Sequence, residues 1–291
     1  MRYYYFKQIS GLYYRTTYAI DSTKADILVF GSSRANHHYV PEIFEDSLQM
    51  SFYNTGRDGN FLLFNYAVFK STLSRYTPKI ILFDVNTNEL IKNEDDYDRL
   101  SSLLPYYKNH PEIRDIVNLR SPYEKTKLVS SIYPFNSMFL TIVIGNLELN
   151  KERKADRKGY LPLHDTLLTS VSLKYREGSK GVSDTIKIKA LKEIIQICKE
   201  REIHLYFVNS PAYYKEGLAD NLKEIECTFE KEKAVYWSYS KDTLFIENPE
   251  YFQDIAHLND NGAKVFTKLL VKRIKDNMIK NQNTRYQLAG N

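Results

Sequence analysis

Three short runs of almost unbroken apolar residues constrain the fold of this chain most. They are Ile27–Phe30, Lys79–Val85 and His204–Val208, and each stops at small or polar residues: Gly31-Ser32-Ser33, Asn86-Thr87-Asn88 and Asn209-Ser210-Pro211. A strand with one face in water alternates apolar and polar side chains; a strand covered on both faces need not. Stretches with helical spacing lie around these runs, at Pro41–Leu48, Phe61–Leu73, Asp184–Glu202, Leu218–Lys231 and Ala263–Met278. Pro41 suits a first helical turn, and Ser183 is the predicted cap of the helix that follows it. Two shorter strands, Ser51–Asn54 and Ala234–Trp237, complete the alternation.

Strands alternating with helices predict an α/β fold, a three-layer α/β/α arrangement around a doubly wound, flavodoxin-like parallel sheet of five strands. In open sheets of this kind sites form beyond the carboxyl ends of the strands. Ser33, Gly56, Asn86, Asn88 and Ser210 all follow strand ends, so the fold is expected to gather them at one edge. The organisation read from the chain is an aromatic and basic lead-in segment over 1–24, one domain over 25–280, and a polar tail over 281–291. A mostly helical insertion at about 91–175 breaks the alternation and could cover the site. Its apolar run Met138–Ile144 could line an acyl pocket, and its charge run Lys151–Lys158 reads as a solvated face.

Near the other end of the chain, Asp254-Ile255-Ala256-His257 sets a carboxylate three residues before an imidazole. A serine hydroxyl is a poor nucleophile until a base takes its proton, and histidine serves because its ordinary pKa of about 6.5 lies near working pH. The histidine needs a partner to fix its tautomer, and Asp254 can curl back within one turn to supply it. Ser33, His257 and Asp254 are therefore the candidate nucleophile, base and orienting carboxylate. Each piece also has a plainer use: Ser32-Ser33 as a helix cap, Gly56 and Gly59 as turn residues, Asn86 as a turn former.

These blocks resemble those of the SGNH (GDSL-like) hydrolase superfamily. Gly31-Ser32-Ser33 is similar to its first block, Asn54-Thr55-Gly56 to its second, Asn86-Thr87-Asn88-Glu89 to its third, and Asp254-Ile255-Ala256-His257 to its last. They come in the family's order from about residue 27 to 275. The resemblance implies Ser33, His257 and Asp254 as the catalytic residues. It implies an oxyanion hole built from the Ser33 N–H, the Gly56 N–H and the Asn88 amide, with Asn86 as the alternative amide. The first block has Ser32 where the family has Asp, and the third lacks the family's Gly and its final Asp. The Gly-Ser-Ser start is similar to that of envelope acyl-transfer relatives. It implies a serine esterase or acyltransferase acting on small acyl esters, most simply acetyl, of a carbohydrate or cell-envelope glycan. Arg34 lies outside the family pattern; it could hold an anionic substrate or pair with a structural carboxylate such as Asp58.

The rivals are a lipase-like hydrolase and a catalytically inactive glycan-binding or scaffold protein that keeps the fold. No Gly-rich phosphate loop follows any strand, which disfavours nucleotide binding. The net charge of +5 is spread over many Lys and Glu residues and does not imply nucleic acid. No cofactor is implied. No metal is expected either, because His37-His38 point apart and no third ligand is evident; both read as rim residues. Two cysteines, with no CxxC pattern, suggest no metal site. Cell-envelope localisation follows from the resemblance alone, since the start of the chain lacks the apolar core of a signal peptide. Membrane association is expected only through a segment absent from this chain. Twenty-four tyrosines among 291 residues supply flat amphipathic surface of the kind carbohydrate sites use, although most would simply fill half-buried positions.

Overall fold

The structure, a computed structural model, describes residues 1–149, 156–168, 173–176, 181–216 and 220–289. Seven strands are present among them: β1 (Ile27–Phe30), β2 (Phe52–Asn54), β3 (Ile80–Asp84), β4 (Lys174–Arg176), β5 (His204–Asn209), β6 (Tyr214–Glu216) and β7 (Val235–Ser238). Five of them form one sheet in the order β2-β1-β3-β5-β7, every pair parallel, while β4 and β6 form a separate two-stranded ribbon. The five-stranded sheet has the expected flavodoxin-like order.

The unbroken apolar runs have a direct cause. Side chains alternate across a strand, and here both faces are covered. Leu28 and Phe30 of β1, Ile81 and Phe83 of β3 and Phe207 of β5 enter one core, with the helices Gly11–Asp21, Leu62–Leu73 and Thr185–Glu200. Ile27 and Val29, Ile80 and Leu82, and Tyr206 and Val208 enter the other, with the helices Pro41–Leu48 and Asp260–Ala289. In the first core Phe30 stacks on Phe83 with ring centroids 5.0 Å apart, and Phe83, Phe207 and Phe229 continue the aromatic row across the sheet. Burying each such ring contributes about 2 kcal/mol.

Several sequence expectations are corrected. Residues 1–24 are not a lead-in lying against a finished domain. They form the helices Arg2–Phe6 and Gly11–Asp21, and Tyr5, Ala19 and Ile20 are core residues. Asp184, not Ser183, caps the helix Thr185–Glu200, accepting the N–H groups of Ile186 and Lys187 at 3.0 and 3.3 Å. The last helix runs through most of the proposed tail, to Ala289. Of the insertion's described residues, those from Glu94 to Asn146 form short helices while Lys174–Arg176 is a strand, and the helical part packs chiefly beside the helix Leu62–Leu73, through Leu100, Leu103, Tyr106, Ile113 and Val117. The charge run lies partly outside the described residues. Arg157 and Lys158 within it pair with Asp260 and Glu45 instead of only facing solvent.

In a sheet of this order the chain leaves β1 first toward β2 and then returns past it to β3, so a crevice opens between the ends of β1 and β3. A cleft of about 630 Å³ lies there, lined by Ser33, Asn88, Glu89, Asp96, Tyr214 and His257 among others.

Candidate active site

β1 ends at Gly31, which has φ +150°; an added Cβ would lie 2.8 Å from Ala35 Cβ and 2.9 Å from the Asp84 carbonyl oxygen. Only glycine lets the chain turn this tightly over the end of β3. The turn delivers Ser33 as the first residue of the short helix Ser33–His38, where the leading N–H groups have no acceptor within the helix.

The chain returns to this point 224 residues later. The Ser33 hydroxyl lies 2.7 Å from Nε2 of His257. Nδ1 of the same ring is 2.9 and 3.0 Å from the two carboxylate oxygens of Asp254. Asp254 is itself oriented, because its Oδ1 accepts the backbone N–H groups of Ala256 at 2.7 Å and His257 at 3.0 Å. Burial alone would raise the Asp254 carboxyl. The hydrogen bonds from the His257 ring and the Ala256 N–H outweigh it and hold the group below its usual range. Asp254 thus stays a carboxylate and requires a proton on Nδ1, which leaves the Nε2 lone pair facing Ser33.

The oxyanion candidates fare differently. Ser33 and Asn88 both line the cleft. The Gly56 N–H does not: it donates to Oδ1 of Asn54 at 2.9 Å, in a turn packed under the helix Ser33–His38, and Gly56 is not among the cleft-lining residues. Gly59, from the same loop, is. Asn86 is held at both ends, its Oδ1 accepting the Asn88 N–H at 2.8 Å and its Nδ2 donating to Glu89 at 2.6 Å. Asn88 has a buried Oδ1 with no partner. Of the two amides, Asn88 is the one not already committed.

Arg34 pairs with a structural carboxylate, and the carboxylate is Asp84. Its guanidinium turns beneath the site, 3.4 Å from Asp84, and donates to Oδ1 of Asn209 at 2.9 Å and to the carbonyls of Ser210 and Val85 at 3.0 and 3.2 Å. One buried cation therefore ties together the ends of β1, β3 and β5. Neither are His37 and His38 rim residues, since both are buried. The His37 ring meets His257 edge-on with centroids 5.6 Å apart, and its Nδ1 donates to the Leu161 carbonyl at 2.7 Å. The Leu161 N–H in turn donates to the Asn36 carbonyl at 3.0 Å, so the loop after the charge run is stitched onto the helix that carries Ser33.

Sequence reasoning passed over Glu89, Asp84 and Asp96. Glu89 is buried beside the cleft and accepts the Leu62 N–H at 2.7 Å; burial raises its carboxyl to about 7. Asp96 forms a buried ion pair with Lys187. The apolar run 138–144 lines no part of the cleft. It belongs to the helix Phe139–Asn146, which is tied to the first helix by the Asn146 Nδ2 bond to the Tyr4 carbonyl at 2.9 Å. Of the insertion, its first residues, Ile91, Lys92, Asn93 and Asp96, reach the cleft.

No protein-family profile matches this chain, and no curated protein does. Among solved structures it is similar to one described as a "putative acylhydrolase" from Bacteroides fragilis NCTC 9343. The two share 11% sequence identity at a TM-score of 0.46, over 93% of this chain and 99% of that one. A likeness this distant carries nothing about chemistry, which has to be read from the side chains.

Proposed function

We propose that the chain is a serine-dependent ester hydrolase or acyltransferase of the SGNH kind. Ser33 is its nucleophile, His257 its base and Asp254 the residue that orients the base. The observation that carries this reading is the continuous contact from Asp254 through His257 to Ser33, at the mouth of a cleft above the β1–β3 crevice. In this reading the Ser33 oxygen attacks the acyl carbonyl while its proton passes to Nε2 of His257. The Ser33 N–H and the Asn88 amide donate to the oxyanion. The tetrahedral intermediate collapses, the ester oxygen leaves with the proton from His257, and the acyl group stays on Ser33. Water, or a second hydroxyl in a transferase, then gives its proton to His257 and attacks the acyl carbonyl, and His257 returns the proton to the Ser33 oxygen as the acyl group leaves it.

The substrate proposed is a small acyl ester of a carbohydrate or envelope glycan. The cleft wall supports it, since Asn88, Glu89, Lys92 and Asn93 offer donors and acceptors suited to hydroxyl groups. The lipase alternative loses its main support, because the apolar run assigned to an acyl pocket lies elsewhere.

The test is turnover of p-nitrophenyl acetate and of acetylated oligosaccharides by the wild type and by Ser33→Ala, with fluorophosphonate labelling in parallel. Loss of turnover and label in the variant is expected. Equal turnover by both proteins removes Ser33 from the nucleophile role, and a folded wild type that takes no label favours the non-catalytic scaffold.

A further inference from the structure

A second hydrogen-bonded chain, buried and separate from the first, reaches the same loop from below. The N–H of Leu258, the residue after His257, donates to Nε2 of His38 at 2.9 Å. Nδ1 of His38 lies 2.9 Å from the Ser210 hydroxyl. Ser210 follows the end of β5, and the Arg34 guanidinium that donates to its carbonyl at 3.0 Å also lies 3.4 Å from the Asp84 carboxylate, which accepts the Tyr39 hydroxyl at 2.7 Å. The fixed end sets the direction along the way. A backbone N–H can only donate, so Nε2 of His38 is the bare nitrogen and Nδ1 carries the proton. That proton goes to the Ser210 oxygen.

From this geometry we infer that His38 is a positioning residue. It anchors the loop that carries His257 to the end of β5, through Ser210, and so fixes the imidazole over Ser33. The inference rests on the proposed roles of Ser33 and His257 and adds a cause for their alignment. Three features support it. His38 is fully buried, so the Leu258 N–H has no water to turn to if the ring is removed. The loop's other long-range backbone bonds, from the Tyr213 N–H to the Ile255 carbonyl at 2.8 Å and from the Leu167 N–H to the Phe252 carbonyl at 2.7 Å, hold it two and five residues before His257, so the Leu258 bond is the tie immediately after the imidazole. The backbone just after the ring is pinned as well, with the Thr267 hydroxyl donating to the His38 carbonyl and accepting the Val40 N–H, both at 3.1 Å. His38 is thereby seated on the helix Asp260–Ala289, which follows the His257 loop directly.

The experiment compares wild type with His38→Ala, His38→Gln and Ser210→Ala. Melting curves give the folded fraction. Fluorophosphonate labelling and nitrophenyl acetate kinetics report on Ser33, and the low-field proton resonance of His257 Nδ1–H reports on the loop. In the folded fraction of His38→Ala and Ser210→Ala, labelling and kcat fall about 10- to 100-fold, as a displacement of ~1 Å at a reacting group produces, while KM changes little. The low-field resonance broadens or disappears. His38→Gln, which keeps an acceptor within reach of the Leu258 N–H, recovers most of both signals. A folded His38→Ala with wild-type labelling and an intact resonance overturns the inference. Should the wild type take no label at all, the nucleophile reading fails separately. The resonance in wild type and variants still decides whether His38 holds the loop.

Discussion

Asn86 and Asn88 lie two residues apart and look interchangeable as letters, yet their surroundings give them different tasks. The Asn86 amide spans the Asn88 N–H and the Glu89 carboxylate and so builds the turn, while Asn88 lines the cleft. Asn88→Ala should lower kcat by about 10²- to 10³-fold with KM nearly unchanged, the signature of a lost oxyanion donor. Asn86→Ala should instead lower the melting temperature, since it leaves Glu89 and the Asn88 N–H short of a partner; steady-state kinetics and thermal melts on both variants separate the two effects. Gly56 shows what a motif can hide. Its place after β2 was legible, but the capture of its N–H by the Asn54 side chain depends on a rotamer, which no spacing reveals. His37 and His38 teach a similar lesson. Neighbours on a helix point roughly 100° apart, so one ring reaches His257 and the other enters the interior. The four-residue step from Ser33 to His37 was the available clue that this helix turns a histidine back toward its own first residue.

At the scale of elements, the strand ends are held by ions as much as by the ladder. Arg34 leaves the β1 turn and binds Asp84 at the end of β3 and Asn209 and Ser210 at the end of β5. The expected partner, Asp58, was close in sequence; Asp84 is 50 residues away and became a neighbour only because β1 and β3 pair in parallel. Arg34→Met leaves the Asp84 carboxylate buried without its cation and should destabilise the fold by about 3–5 kcal/mol. Urea denaturation checks that figure. An Arg34→Met protein with unchanged stability and a raised KM for anionic esters alone would return Arg34 to the substrate-binding role. The aromatic row makes a second prediction. Phe83 sits between Phe30 and Phe207, and Phe83→Ala should cost about 3–5 kcal/mol by opening a cavity its neighbours cannot close. The strands themselves were easy to read because two-faced burial writes itself as unbroken apolar letters. The insertion was hard, because its short helical turns take their shape from packing against the helix Leu62–Leu73 and not from a period of their own.

The whole molecule should respond to acid through His38. Burial first, and the nearby His257, Arg34 and His37 after it, hold that ring's pKa well below its usual 6.5. As pH drops below 6.5 the unfolded chain binds a proton that the folded chain refuses, so stability present above that pH is progressively lost until the folded ring titrates too. Glu89 works the other way. Its carboxyl is raised to about 7, so its contribution is full below 4.5 and fades as pH rises through about 7. Comparing wild type with His38→Gln isolates the histidine. The stability gap between them, read from urea midpoints at several pH values, should narrow as the solution is acidified below 6.5. The amino-terminal helices belong to this scale too. Tyr5, Ala19 and Ile20 fill the core beside the helix Leu62–Leu73, so removing residues 1–21 should lower the denaturation midpoint and expose surface that binds a hydrophobic dye. Sequence reading set these helices apart because their aromatic residues show no clean period; the packing that enrols them is entirely tertiary.

The Ser33–His257 contact spans 224 positions, and this has a bearing on synthesis. While a ribosome is still making the chain, the hydroxyl is made 224 residues before its imidazole neighbour. Whatever reaction Ser33 performs, a nascent polypeptide halted before position 257 holds a dormant serine. Onset of reactivity would then mark synthesis past position 257, so a serine-directed probe applied during translation would register chains that have passed that point and leave shorter ones unlabelled.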